Sequence, residues 1–248
     1  METQTKKITI KKILNISIYV LLIPLVLILG AVVFKDRQYV AISVILAVLV
    51  ISGFFLTFER KKTTIKEISI ITVMVAFSVV GRLMFAAVPN FKPITAIVII
   101  SGIAFGYEAG FMVGSLSALL SNFYFGQGPW TPFQMVSWGI IGCIAGLIFR
   151  KKNPNIWLVS LYGALSGILF SMFMDIWTAI SIDNTFLWER YVSVLATSVP
   201  YMILYVVSNV IFLLVLTKPM LKQIDRIKLK YRIFEEIDFK DEQLPEDF

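Results

Sequence analysis

Two ionisable side chains, Arg82 and Asp175, interrupt long apolar runs of this 248-residue chain. A charge inside a membrane span is costly, so each is a functional candidate. Their opposite signs and similar distances from the ends of their runs fit two arrangements, a structural ion pair or the wall of a pocket. The chain has no histidine, and Cys143 is its lone cysteine. A Ser-His-Asp or Cys-His nucleophile is therefore excluded. An internal disulfide is impossible, and no zinc or other metal site is expected. A Walker A pattern is missing, so the chain encodes no nucleotide-hydrolysing site. Nothing in it reads as an ion filter. Energy for uphill transport would have to come from a partner or an ion gradient.

Amides and aromatics gather around one loop, 126–132. Asn122, Tyr124, Gln127, Trp130, Thr131, Gln134 and Trp138 lie on it or beside it. Trp177 follows Asp175 by two positions, and Asn90 and Lys92 sit in another turn. Interfacial belts account for many tryptophans and tyrosines in membrane proteins. They do not account for Asn122, Gln127 and Gln134. A few placed polar groups among apolar walls describe a small-molecule site, and aromatic walls suit a planar or bulky organic ligand.

The elements that position these residues are apolar helices. The chain is 58% hydrophobic and 16% charged, with mean hydropathy +0.82. Soluble domains run near ~45–50% and ~25%, so an ordinary cytosolic enzyme is excluded. Net charge is +7. The basic residues separate apolar runs, which points to the anionic leaflet of a membrane rather than to nucleic acid. Eight candidate spans follow from the hydropathy pattern, at 13–34, 39–57, 68–88, 93–106, 109–125, 133–149, 156–180 and 191–217. The 93–106 segment is short for a bilayer, which leaves a re-entrant helix as the alternative. Eight crossings with the N-terminus inside place Lys6, Lys7, Lys11, Lys12, Arg60, Lys61, Lys62, Lys66, Arg150, Lys151, Lys152 and the basic C-terminal segment on the inner side. Only Lys35, Arg37, Lys92 and Arg190 then fall outside, as the positive-inside rule requires. A re-entrant fourth segment would break that pattern. Small residues at four-residue spacing form three stripes, Gly106-Gly110-Gly114-Ala118, Gly142-Gly146 and Gly163-Gly167-Ser171. They let helices approach closely in lipid and predict a compact bundle. From Lys218 the tail is first basic, then acidic, and reads as a helix extension with a solvated end or as a docking segment.

The stretches Pro89-Asn90-Phe91-Lys92-Pro93, Gly102-Ile103-Ala104-Phe105-Gly106 and Gly126-Gln127-Gly128-Pro129-Trp130-Thr131-Pro132-Phe133-Gln134-Met135, with Trp138-Gly139, carry a resemblance. Across about 65–217 the chain resembles the S components of energy-coupling factor (ECF) transporters, the substrate-binding membrane subunits. The resemblance implies an all-α transmembrane fold. A six-helix core at 65–217 would follow an extra N-terminal hairpin within 1–64, with both termini cytoplasmic and a tail at 218–248. It implies a non-enzymatic subunit of a prokaryotic cell membrane that binds a vitamin near the outer face. Its partners would be a transmembrane T subunit and two cytoplasmic ATPases, with no cofactor of its own. Carried over, the substrate site falls on Asn90, Phe91, Lys92, Gln127, Trp130, Gln134, Trp138, Asp175 and Trp177; the reading of the residues themselves adds Asn122 to it, with Arg82 as a structural or pocket charge. The small-residue patch that meets the T subunit would be Thr72 and Ala76. The family's nickel and cobalt branch depends on histidine, which this chain lacks. The wording of the Gly-Gln-Gly-Pro-Trp loop is similar to members assigned to cobalamin-type corrinoids. Two other readings compete. One is a membrane enzyme of lipid or isoprenoid using Asp175, Glu108 and Arg82, although no carboxylates cluster on one helical face. The other is a structural membrane subunit.

Overall fold

The protein is described as a computed structural model covering residues 65–149, 154–183 and 185–231. The expected hairpin at 13–57 lies outside the described residues. Among the described residues six helices follow one another: α1 (Ile65–Met84), α2 (Ile94–Phe105), α3 (Tyr107–Phe125), α4 (Trp130–Ile148), α5 (Ile156–Asp183) and α6 (Trp188–Tyr231). There is no strand among the described residues. Among these helices α1, α4, α5 and α6 are long and apolar enough to cross a membrane, and α2 is a shorter apolar helix.

The expected boundaries shift for local reasons. Helix α1 ends before 88 because turn hydrogen bonds at Ala86 and Val88 take over. Pro89 and Asn90, at φ 54°, then reverse the chain. Helices α3, α4 and α6 each begin two or three residues earlier than hydropathy suggests, since polar first-turn residues lie outside an apolar window. Helix α6 runs through Pro200 and Pro219 and continues past 217 to Tyr231.

Helices α2 and α4 form the centre. The 12-residue α2 has no polar face, and ten of its residues are buried. Roughly 18 Å of helix is too short to face lipid across a bilayer, and here protein encloses it. In α4, 72% of the most apolar window is buried, against 28–33% in α1, α5 and α6. The outer helices instead expose apolar side chains such as Val73, Phe77, Leu161, Leu165, Ile203 and Val207, as lipid-facing surfaces do.

The small-residue stripes set the packing. A Cβ on Gly142 would lie 2.2 Å from the Gly110 carbonyl oxygen, and one on Gly102 would lie 2.2 Å from the Gly142 carbonyl oxygen. Helices α2, α3 and α4 therefore touch backbone to backbone. Gly163 and Gly167 do the same work for α5, receiving Leu213 and Val206 of α6. Gly106 joins α2 to α3 alone, at φ +96°, a conformation that side chains with a Cβ avoid.

Candidate ligand-binding site

One polar and aromatic cluster draws a residue from each of the six described helices. Arg82 of α1 is only 8% exposed. Its Nη1 donates to Ser121 Oγ and, at 2.9 Å, to Asn122 Oδ1, both on α3. Arginine only donates, so the amide oxygen of Asn122 has to face it. The amide nitrogen is then turned to α4, donating to Thr131 Oγ1 at 2.9 Å and Gln134 Oε1 at 2.8 Å. The Arg82 guanidinium carbon lies 4.5 Å from the Phe125 ring centre and 5.0 Å from that of Trp138. Ring faces carry partial negative charge and compensate part of the desolvation of this cation.

Trp138 closes the cluster from α4. Its Nε1 donates to Thr95 Oγ1 of α2 at 3.1 Å and to Tyr205 OH of α6 at 2.7 Å. Thr95 and Tyr205 also hydrogen-bond each other. Phe170 of α5 stacks on Trp138 with centres 4.8 Å apart and meets Tyr205 at 4.9 Å. Every buried polar group in this triangle has a partner, which buried polar groups require.

The connector 126–129 is braced by its own amide. Gln127 Nε2 donates to the Leu119 carbonyl of α3 at 2.7 Å, and Gln127 Oε1 accepts from Thr131 at 3.0 Å. Trp130 folds its ring against Gly128, where a Cβ would come within 2.3 Å of the ring. Gln127 thus braces the connector, and its side chain is engaged within it. In the connector 85–93, Lys92 Nζ lies 5.4 Å from the Phe125 ring centre and donates to Val88 O at 3.3 Å. Burial, and then the nearby Arg82 charge, hold its ammonium pKa below the ordinary lysine value. Phe91 packs on Phe212 and Phe85, with centres 5.0 and 5.9 Å apart. Asn90 donates to the Tyr201 carbonyl at 3.4 Å.

The structure thus joins Arg82, Asn122, Gln134 and Trp138, with Lys92 beside them across Phe125. Asp175 is placed apart: its Oδ2 accepts from Ser198 of α6 at 2.6 Å. It makes no ion pair with Arg82, so the structural-pair arrangement is not adopted. Trp177 packs on Phe133 at 5.7 Å. Glu108, offered for an enzymatic reading, stands in the first turn of α3, bonded by Tyr107 at 3.0 Å. No group of metal-ligating side chains assembles among the described residues. Thr72 and Ala76 are both exposed on α1.

Sequence reasoning missed Ser121, Phe125, Thr95, Phe170 and Tyr205. Thr95 and Tyr205 carried a weak signal, since each places a hydroxyl in an apolar run where it needs a partner. Phe125 and Phe170 carried none, because phenylalanine is ordinary in a span.

A multi-pass helical membrane protein with a buried aromatic and amide cluster has the form of a small-molecule-binding subunit. The family model of the ECF-type riboflavin transporter S component matches residues 62–225, and the chain belongs to that family. It is a transporter subunit of the vitamin-binding type. The family description names riboflavin, where the loop wording had suggested a corrinoid. Two UPF0397 proteins of Aliivibrio fischeri, from strains MJ11 and ES114, are each 27% identical over 128 residues, covering 44% of this chain and 69% of the relative. No solved structure matches.

Proposed function

We propose that this protein captures a riboflavin-like vitamin at the end of the bundle formed by the connectors 85–93 and 126–129. Partner subunits then drive uptake: a T subunit in the membrane and two ATPases. The observation that carries the reading is the convergence of the six described helices on Trp138 and Asn122. A flavin ring system is planar, aromatic and edged with amide-like donors and acceptors. Trp138, Phe125, Phe170 and Tyr205 offer ring faces for it, and Asn122 and Gln134 offer matching amides. Lys92, Asn90 and Phe91 on the connector would close over the ligand, with Gln127 and Trp130 holding the second connector in shape. Asp175 and Trp177 would act from the α5–α6 side.

The topology in this reading has eight crossings, with the hairpin within 1–64 ahead of the core at 65–217, both termini cytoplasmic and the tail at 218–248 also inside. The membrane is the cell membrane of a prokaryote. Thr72 and Ala76, on the exposed side of α1 between Val73, Phe77 and Val80, offer the T subunit a shallow patch where helices could approach closely.

The test is native mass spectrometry and visible absorbance of the full chain, purified in mild detergent from cells grown with vitamins. Co-purified flavin supports the reading. A corrinoid keeps the class and replaces the substrate, and lipid alone counts against a vitamin-binding site. Product from an isoprenoid or lipid turnover assay would overturn it in favour of an enzyme.

A further inference from the structure

Arg82 has five N–H donors, and its described bonds use Nη1 alone. Nε and Nη2 bond no described residue, yet neither is among the buried, unpartnered polar atoms sealed from the surface. These two nitrogens form the edge of a guanidinium that binds two oxygens of one anion in parallel. The second cation, Lys92, flanks the same Phe125 ring, and its ammonium spends one donor on a backbone carbonyl. No carboxylate pairs with either cation among the described residues: Asp175 is held by Ser198, and Asp183 pairs with Arg190. A desolvated charge costs several kcal/mol unless something of opposite sign meets it. Two like charges around one ring add repulsion to that cost.

We propose that Arg82 and Lys92 together receive an anionic group of the ligand, a phosphate or carboxylate attached to the aromatic body that lies against Phe125 and Trp138. The proposal rests on the reading of the chain as a flavin-binding subunit. On that reading it selects a phosphorylated flavin over the uncharged vitamin. The anion would take the free Nε–Nη2 edge of Arg82, and Lys92 would approach from the connector as a movable point charge.

Riboflavin and riboflavin 5′-phosphate differ only by the anionic group, so they make a matched pair. Affinities are measured by tryptophan fluorescence quenching on the full chain in detergent, at low and high salt. The expected result is roughly tenfold or more tighter binding of the phosphate form, narrowing as salt rises. Lys92→Gln should shrink the ratio of the two affinities several-fold, and because the ratio is read within one variant, any loss common to both ligands cancels. Arg82→Lys keeps the charge and loses the fork, and should reduce the advantage further. Riboflavin binding as tightly as its phosphate overturns the proposal and leaves the flavin reading standing. Binding of neither overturns both. A phosphate preference that survives undiminished in both variants puts the anion elsewhere and also overturns it.

Discussion

Gly142→Ala tests whether the site depends on the close approach of α3 and α4. The added Cβ would lie 2.2 Å from the Gly110 carbonyl oxygen, 2.5 Å from its carbon and 2.8 Å from Val98 Cγ1. Ordinary contact begins at 3.4 Å, so the backbones have to separate by about 1 Å, because a carbonyl cannot swing aside as a side-chain tip can. Overpacking of this kind costs ~1–3 kcal/mol, and a backbone clash belongs at the upper end. For a chain of this size that is a fall of about 6–12 °C in apparent melting temperature. The displacement reaches the site, because α3 carries Asn122 and α4 carries Gln134 and Trp138. The 2.8 Å bond from Asn122 to Gln134 would stretch beyond hydrogen-bond range, leaving the polar groups around Arg82 unsatisfied. Flavin affinity should fall about tenfold, the equivalent of one such bond. Thermal unfolding in detergent and equilibrium ligand binding measure the two effects. Gly106→Ala is the contrast: its Cβ meets nothing within 4 Å, but φ is +96°. It should cost about 1–3 kcal/mol from backbone strain, since φ 96° with ψ 175° is a region only glycine occupies readily, with affinity unchanged. If Gly142→Ala melts and binds like the parent, the backbone contact between α3 and α4 does not position the site.

Three further outcomes follow from particular contacts. Trp138→Phe keeps a ring against Phe170 but loses the hydrogen bonds to Thr95 and Tyr205. It should lower stability by about 1 kcal/mol in denaturation assays and weaken flavin binding measured by calorimetry; unchanged binding would count against the pocket placement. Lys228 of α6 donates to the Ala104 carbonyl in the last turn of α2 and lies 5.1 Å from the Phe105 ring centre. Lys228→Ala should therefore cost about 1 kcal/mol by leaving that helix end less well capped, with ligand affinity intact. Ala76→Phe, on the exposed side of α1, should leave flavin binding unaltered and abolish co-purification with the T subunit. Retention of the subunit would move the docking surface to another helix.

The apolar runs are long and the breakers between them sharp, so the six core helices could be placed from the sequence to within a few residues, apart from the extension of α6 to Tyr231. The glycine stripes foretold close packing, because a missing Cβ can be read directly as a permitted approach. Asn122, Gln134 and Trp138 were legible as well, since amides and an indole near a span need partners that lipid cannot supply. What the sequence could not assign was the pairing. Arg82 and Asp175 looked equally suited to each other, and the fold separates them: one donates to Ser121 and Asn122, the other accepts from Ser198. Gln127 read as a ligand contact, but its side chain reaches back to Leu119 and Thr131 to brace the connector. Thr95, Phe170 and Tyr205 meet at Trp138 although they are far apart in the chain. Hydropathy and spacing act locally and determine which segments become helices. Which polar group meets which depends on how those helices rotate and cross, and backbone contacts at Gly102, Gly110 and Gly142 decide that only once the bundle is assembled.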